Sequence, residues 1–572
     1  MKLFKYLKKY TKEAILGPLF KLLEATLELI VPLVVASIID KGIGNSDGAY
    51  IIKMCAVLVM LGVVGLGFSV TAQYFAAKAS VGFVTGVRNA LFAHVQSFSH
   101  SDLDSIGTST LITRMTTDSS RVQSGLNLAL RLLLRSPFVV FGAMIMALSI
   151  DGSAGATFAV VIPALSIIVF GIMLITTPLY KKVQGGVDKI LKRTRENLSG
   201  ARVVRAFAME DAQYTSFSTE NSSLTTAQKK AGHISALLNP LTYIVINLGI
   251  LLLIYIGAIK VDSGELSQGQ VIALYNYMSQ ILVELVKLAN LIVSITKALA
   301  SASRISSVLE IAPTQSFGEC GADARSEYAV EFNNVSMRYP SASEDAISGI
   351  DLKVKHGETI GIIGGTGSGK TSLISLIPRF YDARDGEVRL DGVSIGDYSR
   401  EALMHKIGIV PQRATLFTGT IRENMLWGDK NATDEAIYEA IEIAQASDVL
   451  ESKGGLDAEV SAGGRNLSGG QRQRLTIARA LVGSPDILIL DDSASALDYA
   501  TDARLRASIK ALDCGQTVFI VSQRTSSVMF ADRIVVLDDG EAVGIGTHTE
   551  LLESCPVYRE IYESQFKKEA RA

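Results

Sequence analysis

The residues with the clearest potential for chemistry form the run Gly364-Gly365-Thr366-Gly367-Ser368-Gly369-Lys370-Thr371. This run fits the spacing G-x-x-x-x-G-K-[ST], follows the apolar segment "TIGII" and precedes the helical segment "KTSLISLIPRFY". Glycines allow backbone N–H groups to surround phosphate oxygens, and the start of a helix adds a favourable dipole. We expect Lys370 to reach the outer phosphates and the Thr371 hydroxyl to ligate Mg²⁺. The strand–loop–helix context makes a chance glycine-rich turn a poor explanation.

Two further patterns restrict the class of phosphate-binding protein. The first, at residues 467–475, is Leu467-Ser468-Gly469-Gly470-Gln471-Arg472-Gln473-Arg474-Leu475, which continues into the helical segment "TIARAL". The second is the apolar segment "ILILDD" at residues 487–492, which ends in two acids, Asp491 and Asp492. Kinases, GTPases, helicases and transporters all use a phosphate loop, so the "LSGGQ" run decides among them.

With these motifs the sequence resembles the ATP-binding cassette (ABC) family, and within it the half-transporters of exporter type. The motifs stand in that family's order: Tyr339 in "SMRYP", the phosphate loop, Gln412 in "IVPQRATLF", the "LSGGQ" signature, Asp491, the "SALD" segment ending at Asp498, and Gln523 in "VSQR". Together with the apolar first half, the resemblance covers essentially the whole chain. In that family two halves dimerise, and each ATP is held between the phosphate loop of one chain and the signature of the other.

The resemblance implies a role for each matching residue. Tyr339 would stack on adenine, and residues 364–371 with Ser372 would hold the phosphates of ATP. Mg²⁺ would be held by Thr371, Gln412 and Asp491, and Gln412 would also sense the γ-phosphate. The four signature residues Ser468, Gly469, Gly470 and Gln471 would close over ATP bound to the second half, with Asp498 along the dimer interface.

Three positions depart from the family pattern. Asp492 stands where a catalytic glutamate is expected, Gln523 replaces a histidine that contacts the γ-phosphate, and Ala462 replaces a glutamate before the signature. A base must come within about 2.6–3.2 Å of its water, and a misplacement of about 1 Å can cost on the order of 10²-fold. Gln523 can donate a hydrogen bond but cannot carry positive charge. Unless these replacements are tolerated, Asp492, Gln523 and Lys370 form a slow catalytic site, and the intact signature serves a competent site on a different chain.

Composition indicates a membrane protein with a soluble domain. The chain has 572 residues, a formal net charge of −2 and 48% hydrophobic residues. Its mean hydropathy of +0.30 is high, and the apolar residues are concentrated between residues 15 and 300. The charge gives no indication of a nucleic-acid partner, and the four scattered cysteines (Cys55, Cys320, Cys514 and Cys555) indicate free thiols in a reducing compartment.

Six apolar segments are long enough, at about 20 residues, to cross a bilayer. They lie at roughly 15–40, 52–78, 132–150, 154–178, 238–259 and 269–298, and together they predict a transmembrane domain at 15–300. Residues 1–14 alternate lysine with apolar residues, which predicts an amphipathic helix on the membrane surface. Lysines and arginines crowd the long connections between the second and third and between the fourth and fifth segments. The positive-inside rule places these connections, and both termini, on the cytoplasmic side of the cell or inner membrane.

The long connections have apolar residues at helical spacing, so we expect membrane helices that extend well past the bilayer. A short helix is predicted at each tip, near residues 98–110 and 207–219. Residues 301–328, with Pro313 and many small residues, predict a linker. Residues 329–572 contain alternating strand and helix segments, which predict an α/β nucleotide-binding domain with a mainly parallel central sheet.

Ionisable residues inside a span are costly, at about 2.5–3.5 kcal/mol near the centre, and therefore suggest function. The sequence places Glu24 and Glu28 in the first segment and Glu284 and Lys287 in the sixth. Glu284 and Lys287 are three residues apart and could pair on one helix face. Glu284 either faces a transport cavity or, like the others, lies near a membrane edge or in a helix extension.

The sequence therefore predicts one half of an ATP-driven exporter of drugs or other amphiphilic small molecules. It would use ATP and Mg²⁺, lie in a lipid bilayer and pair with a different half-transporter. An ATP-gated channel or a regulatory ABC subunit remains the alternative. An importer is disfavoured because the membrane half is fused ahead of the ATPase half, and a peptide-maturing exporter because no protease domain precedes the spans. Neither the substrate nor the second half can be identified from these residues.

Overall fold

The computed structural model describes residues 2–321, 325–340, 342–494, 496–511 and 515–566. Cys514 and Ser495 of the "SALD" segment lie outside these ranges. The chain divides into two compact units, residues 1–95 with 109–311 and residues 96–108 with 312–572. The tip of the first long connection thus belongs to the second unit.

The first 309 residues are helical almost throughout. Short 3₁₀ turns at Lys2–Tyr6 and Lys8–Tyr10 precede the first α-helix, and π-helical turns at Ile38–Ile43, Arg114–Asp118 and Ala129–Leu133 interrupt the series. The α-helices are α1 (Thr11–Ser37), α2 (Gly48–Gln96), α3 (His100–Ile106), α4 (Thr108–Thr113), α5 (Ser119–Leu128), α6 (Arg135–Ile150), α7 (Gly152–Ser199), α8 (Ala201–Ala206), α9 (Glu210–Ala236), α10 (Leu238–Asp262) and α11 (Gln268–Leu309).

Six continuous helical stretches are long and apolar enough to cross a membrane: Lys8–Ile43, Gly48–Gln96, Thr108–Ile150, Gly152–Ser199, Glu210–Asp262 and Gln268–Leu309. This confirms the six spans expected from the sequence. The stretches run from 36 to 53 residues, well beyond the roughly 20 that a bilayer requires. The excess length agrees with helices that continue past the membrane.

The predicted linker and the second tip differ from the structure. Residues 301–309 are the end of α11 and not a linker, because Ala298, Ser301, Ile305 and Val308 are buried at helical spacing on one face of that helix. Because serine and alanine add little hydropathy, this periodicity was not recognisable in the sequence. The second tip contains the short helix α8, which lies before the predicted residues 207–219, whereas α9 already begins at Glu210.

The second unit alternates strands and helices. Its strands are β1 (Tyr328–Met337), β2 (Ile347–Lys355), β3 (Thr359–Gly364), β4 (Asp385–Leu390), β5 (Val393–Ser394), β6 (Ile407–Val410), β7 (Gly419–Thr420), β8 (Glu459–Val460), β9 (Ile487–Asp491), β10 (Thr517–Val521), β11 (Arg533–Asp538) and β12 (Glu541–Gly546). Its remaining helices are α12 (Lys370–Ser375), α13 (Arg400–Lys406), α14 (Ile421–Met425), α15 (Asp434–Ile443), α16 (Ser447–Lys453), α17 (Gly469–Leu481), α18 (Tyr499–Lys510), α19 (Thr525–Val528), α20 (His548–Ser554) and α21 (Pro556–Phe566).

A six-stranded sheet in the order β12-β11-β3-β10-β9-β6 forms the centre of this unit, and only its edge strand β12 is antiparallel. The mainly parallel sheet is therefore confirmed. Strands β9 and β3 are apolar runs that are buried on both faces, as expected for parallel strands covered by helices. Strands β1, β2, β4 and β5 form a separate antiparallel sheet in the order β2-β1-β4-β5.

The register of the parallel strands places their carboxyl ends side by side. Val521 at the end of β10 pairs with Ile362 in β3 and with Asp491 at the end of β9. In open α/β sheets, ligands bind outside these carboxyl ends. The residues that follow β3, β9 and β10 therefore meet at one edge of the sheet.

The first tip contains a short helix, as predicted, and packs within the second unit. Asp102 of α3 accepts hydrogen bonds from the backbone N–H groups of Ser99 (3.0 Å) and Thr314 (3.2 Å). Tyr381 donates its hydroxyl to Asp104 at 2.6 Å. Partial burial works against ionisation of Asp102, but the hydrogen bonds outweigh it and hold the pKa of this carboxyl below its usual value.

Candidate functional site

The phosphate loop joins the end of β3 at Gly364 to the start of α12 at Lys370. Gly367 and Gly369 have φ values of 88° and 92°, a left-handed conformation that glycine adopts without steric cost. A Cβ atom at Gly369 would also lie 2.6 Å from the carbonyl oxygen of Ala346. Glycine is therefore required at position 369 for two independent reasons.

Lys370 folds back over its own loop. Its Nζ donates to the carbonyl oxygen of Gly364 at 3.0 Å and contacts the Ser368 hydroxyl at 3.3 Å. Burial lowers the pKa of Lys370, and the nearby carboxylates of Asp491 and Asp492 oppose that effect. The ammonium group thus lies where the negative charge of a bound phosphate would restore its preference for the protonated state.

Asp491 and Thr371 meet at the end of β9. The Thr371 hydroxyl lies 3.1 Å from both carboxylate oxygens of Asp491. Burial raises the pKa of Asp491, and the adjacent charge of Asp492 adds to this effect. A hydroxyl, a carboxylate and the nearby Gln412 amide are the oxygen donors that Mg²⁺ prefers, with water completing its octahedron. These three residues fit the cation that the sequence predicts.

Asp492 occupies an unusual backbone position. Its φ is 46°, in the left-handed region where aspartate is found more often than most residues. Its N–H donates to the carbonyl oxygen of Val521 at 2.9 Å, which fixes the Cα atom against β10. The Gln412 side-chain amide donates to the Asp492 carboxylate at 3.4 Å.

A cleft of about 340 Å³ brings most of the predicted ATP-binding residues together. We call it the nucleotide cleft, and its lining includes Tyr339, Thr366, Gly367, Gly369, Lys370, Thr371, Ser372, Gln412, Asp491, Asp492 and Gln523. Gly364, Gly365 and Ser368 lie in the same loop but do not line the cleft. The half-buried Tyr339 hydrogen-bonds Ser372 at 3.0 Å and packs edge-on against Tyr381. Gln523 is exposed just beyond the end of β10.

The signature lies at a different place on the same unit. Ser468 caps the start of α17, where its hydroxyl accepts from the Gln471 N–H at 3.2 Å and its own N–H donates to the Gln471 side chain at 3.0 Å. Ser468, Gly470, Gln471 and Asp498 line a second cleft of about 850 Å³, here called the signature cleft. No described residue lines both clefts.

Some lining residues carried no clear sign in the sequence. Ala346 and Ser522 line the nucleotide cleft, and sheet register was needed to locate them. Arg474 and Arg504 line the signature cleft. Arg474 stands in the arginine-rich run after the signature, so charge could have identified it. Ala462, where a glutamate is expected, is exposed in a short 3₁₀ turn.

The first unit contains a buried ionic cluster that the sequence only partly predicted. The expected pair between Glu284 and Lys287 is present at 2.9 Å. Glu284 is only 3% exposed and also accepts from Arg135 at 2.7 Å and from the Ser136 hydroxyl at 2.8 Å. Arg135 in turn donates to Glu28 at 2.5 Å. Glu284 thus joins helices α1, α6 and α11, and Arg135, near the start of the predicted segment 132–150, is buried.

Comparisons with known proteins agree with this architecture. The ABC transporter transmembrane region family matches residues 14–285, and the ABC transporter family matches residues 347–495. An uncharacterised ABC transporter ATP-binding protein of Bacillus subtilis, YfiB, is 36% identical over 99% of each chain.

More distant relatives have more specific names. An ATP-dependent lipid A-core flippase of Desulfotalea psychrophila is 33% identical over 84% of each chain. The structure of a bacterial Atm1-family ABC exporter with ATP bound superposes with a TM-score of 0.79 at 22% identity, over 98% of each chain. The chain therefore belongs to the ABC transporter family, as an exporter half-transporter in which six membrane-spanning helices are fused to an ATPase domain.

Proposed function

We propose that the chain is one half of a heterodimeric exporter. It binds ATP and Mg²⁺ in its own nucleotide cleft, hydrolyses that ATP slowly, and supplies its signature to a competent site on a different half-transporter. The observation that carries this proposal is that the two residues that depart from the family pattern lie in one cleft and the intact signature lies in another. Asp492 and Gln523 line the nucleotide cleft, whereas Ser468 and Gly470 line the signature cleft.

Slow hydrolysis in the nucleotide cleft follows from the short reach of Asp492. The Cα of Asp492 is fixed by its hydrogen bond to Val521, so the side chain cannot move toward the phosphates as a unit. A glutamate at the same Cα would carry its carboxylate one C–C bond further, about 1.5 Å. An error of about 1 Å in the position of a base can reduce the rate on the order of 10²-fold.

The short reach of Asp492 does not weaken the binding of ATP. Lys370, Thr371 and the glycine loop are complete, and Tyr339 stands at the side of the cleft with its ring supported by Tyr381. These groups hold the nucleotide through phosphate contacts and stacking, neither of which requires a catalytic base. The cleft thus combines retained binding with impaired chemistry.

The substrate class we propose is an amphiphile, either a lipid or a drug-like molecule. Several relatives are named lipid A-core flippases, among them the Escherichia coli protein at 28% identity. The six spans place the chain in the lipid bilayer. We also propose that the nucleotide-binding domain and both termini are cytoplasmic, because lysine and arginine dominate the long connections.

An ATP-gated channel or a regulatory subunit is the competing function. It would bind ATP in the same cleft, but net movement of substrate against a gradient would be absent. Uphill transport into inverted vesicles, with ATPase activity stimulated by the same amphiphile, separates the two functions. Passive flux that ATP opens but does not drive would favour the channel.

The experiment that tests the heterodimer is affinity purification of the tagged chain from its native membrane in mild detergent. We expect a second half-transporter at equal stoichiometry, with glutamate and histidine at the positions equivalent to 492 and 523. The purified single chain should hydrolyse ATP far more slowly than the complex. Robust turnover by the single chain, with no second subunit recovered, would contradict the proposal.

A further inference from the structure

A cleft of about 560 Å³ lies between α5 and α11 in the first unit. We call it the basic cleft. Its described lining includes two cationic side chains, Arg121 and Lys297, and no acidic one. Both are exposed, and neither side chain forms an ion pair or a hydrogen bond with another described residue. Two uncompensated cations that share one opening favour an anionic ligand.

Hydroxyl groups supply the second part of the site. Thr117, Ser120 and Ser124 line the same wall as Arg121, at the spacing of three and four residues that puts side chains on one helix face. A serine or threonine hydroxyl donates one hydrogen bond and adapts its direction by rotation. Cations together with rotatable hydroxyl donors match the oxygens of a phosphate group.

The two walls are held together by a close helix contact. A Cβ atom at Gly125 would lie 2.1 Å from the Cβ of Ala298, so only glycine permits this approach of α5 to α11. Arg121 is one helical turn before Gly125, and Lys297 is adjacent to Ala298. The contact therefore fixes the separation of the two cations, and the site is preorganised by the helix packing.

A third cation strengthens the positive potential, and the nearest acid in sequence does not cancel it. Arg88 of α2 donates to the Ser120 hydroxyl at 3.2 Å, and its Nε is buried without a hydrogen-bond partner among the described residues. Asp118 is already neutralised, since it accepts from Arg114 at 2.8 Å and from Arg304 at 3.0 Å.

The cleft lies at the level of the basic N-terminal segment. Tyr10 packs so closely on Gly82 that a Cβ there would lie 2.2 Å from its ring, and Tyr6 contacts Gly86. Arg88 follows Gly86 by two residues, or about 3 Å along the helix axis. The lysine-rich N-terminal segment, which the sequence predicts to lie on the membrane surface, therefore packs on the same part of α2 as Arg88.

We infer that the basic cleft binds a phosphate group, carried either by an anionic lipid headgroup or by a soluble phosphate compound. Arg121 and Lys297 supply the charge, and the hydroxyls of α5 supply directed donors. A soluble phosphate compound has the same recognition chemistry, and the experiment below distinguishes the two sources. The inference does not depend on the heterodimer proposal, because the cleft belongs to the first unit alone.

The test uses the full chain in detergent micelles and native mass spectrometry with dioleoylphosphatidylglycerol as the probe. Dioleoylphosphatidylcholine provides the zwitterionic comparison, and glycerol 3-phosphate provides the soluble phosphate. We expect Arg121→Gln with Lys297→Gln to weaken phosphatidylglycerol binding roughly fivefold per cation, or about 25-fold in total. The variant Arg121→Lys should retain most of the affinity.

The matched control removes one lysine and one arginine elsewhere in the same unit. Lys182→Gln with Arg195→Gln changes two exposed residues of α7 that do not line the cleft, and it should bind phosphatidylglycerol like the unmodified chain. An equal loss of phosphatidylglycerol affinity in both double variants would overturn the inference, because it would show that binding depends on the overall charge of the chain and not on the basic cleft. Glycerol 3-phosphate bound as tightly as the lipid would assign the cleft to a soluble phosphate compound instead.

Discussion

Restoring the two residues that depart from the family pattern should raise hydrolysis in this chain's own nucleotide cleft. The change is Asp492→Glu with Gln523→His. Glutamate extends the carboxylate by about 1.5 Å from a Cα that the hydrogen bond to Val521 holds in place. Histidine provides a group that can carry positive charge beside the γ-phosphate, which glutamine cannot.

The size of the gain can be bounded from these contacts. A positioned general base contributes typically about 10²–10⁴-fold. The position itself is somewhat unfavourable for glutamate, because Asp492 has a φ of 46° and a non-glycine residue in this region costs of order 1–3 kcal/mol. Part of that strain is already present with aspartate. We therefore expect a gain near 10²-fold in the double variant, and less in either single variant because the two groups act together.

The assay is single-turnover hydrolysis of ATP in heterodimers whose second site has been inactivated. Inactivation of the second site ensures that every product molecule arises in the nucleotide cleft of this chain. The control is Asp492→Asn with Gln523→His, which keeps the histidine but removes the carboxylate. No gain in Asp492→Glu with Gln523→His would refute the assignment of the defect to reach and charge, and would direct attention to the signature of the second half.

Three further predictions concern the other contacts described above. In the assembled exporter, Ser468→Ala should nearly abolish turnover while Asp492→Asn does much less; equal losses in kcat would contradict the division between clefts. Glu284→Gln removes the buried acid from Arg135 and leaves it only Glu28, whose side chain is 40% exposed, so it should cost up to about 3–5 kcal/mol; Glu28→Gln keeps the buried pair and should lower the detergent melting temperature less. Asp102 has a lowered pKa, so its support for the first tip should be constant above the ordinary aspartate pKa of 3.8 and lost only as the pH falls through the still lower folded pKa. The protection of residues 96–108, measured as the exchange rate relative to the intrinsic rate at each pH, should therefore stay unchanged from pH 7 to about 5 and should decrease at pH 7 in Asp102→Asn.

The arrangement of residues in the nucleotide cleft was predictable because these residues stand in short, contiguous motifs. The phosphate loop places Lys370 and Thr371 by local geometry, and parallel strand register then brings Asp491 beside them. The six spans were predictable for a similar reason, since each depends on the composition of one uninterrupted segment. Local patterns of this kind need no knowledge of long-range contacts.

Contacts between distant segments were not predictable in the same way. Arg135 bonds Glu284 and Glu28, which are 149 and 107 residues away in the chain, and its position near the start of the segment 132–150 indicates neither contact. The end of α11 was missed because small residues such as Ser301 bury well at close helix contacts without raising hydropathy. The basic cleft depends on the approach of Gly125 to Ala298, which periodicity does not reveal.

The two clefts are separate in lining but joined by a short piece of chain. Asp492 lines the nucleotide cleft, and Asp498, six residues later, caps α18 and lines the signature cleft. Between them, the carbonyl oxygen of Ala496 lies within 3.2 Å of where a Cβ on Gly470 would be. The residues that follow Asp492 therefore contact the signature of the same chain. Under the proposed function, ATP retained beside Asp492 would hold this connection, and with it the signature, in one position. A slow site then contributes by keeping the signature ordered for the competent site, which is a role that binding alone can fulfil.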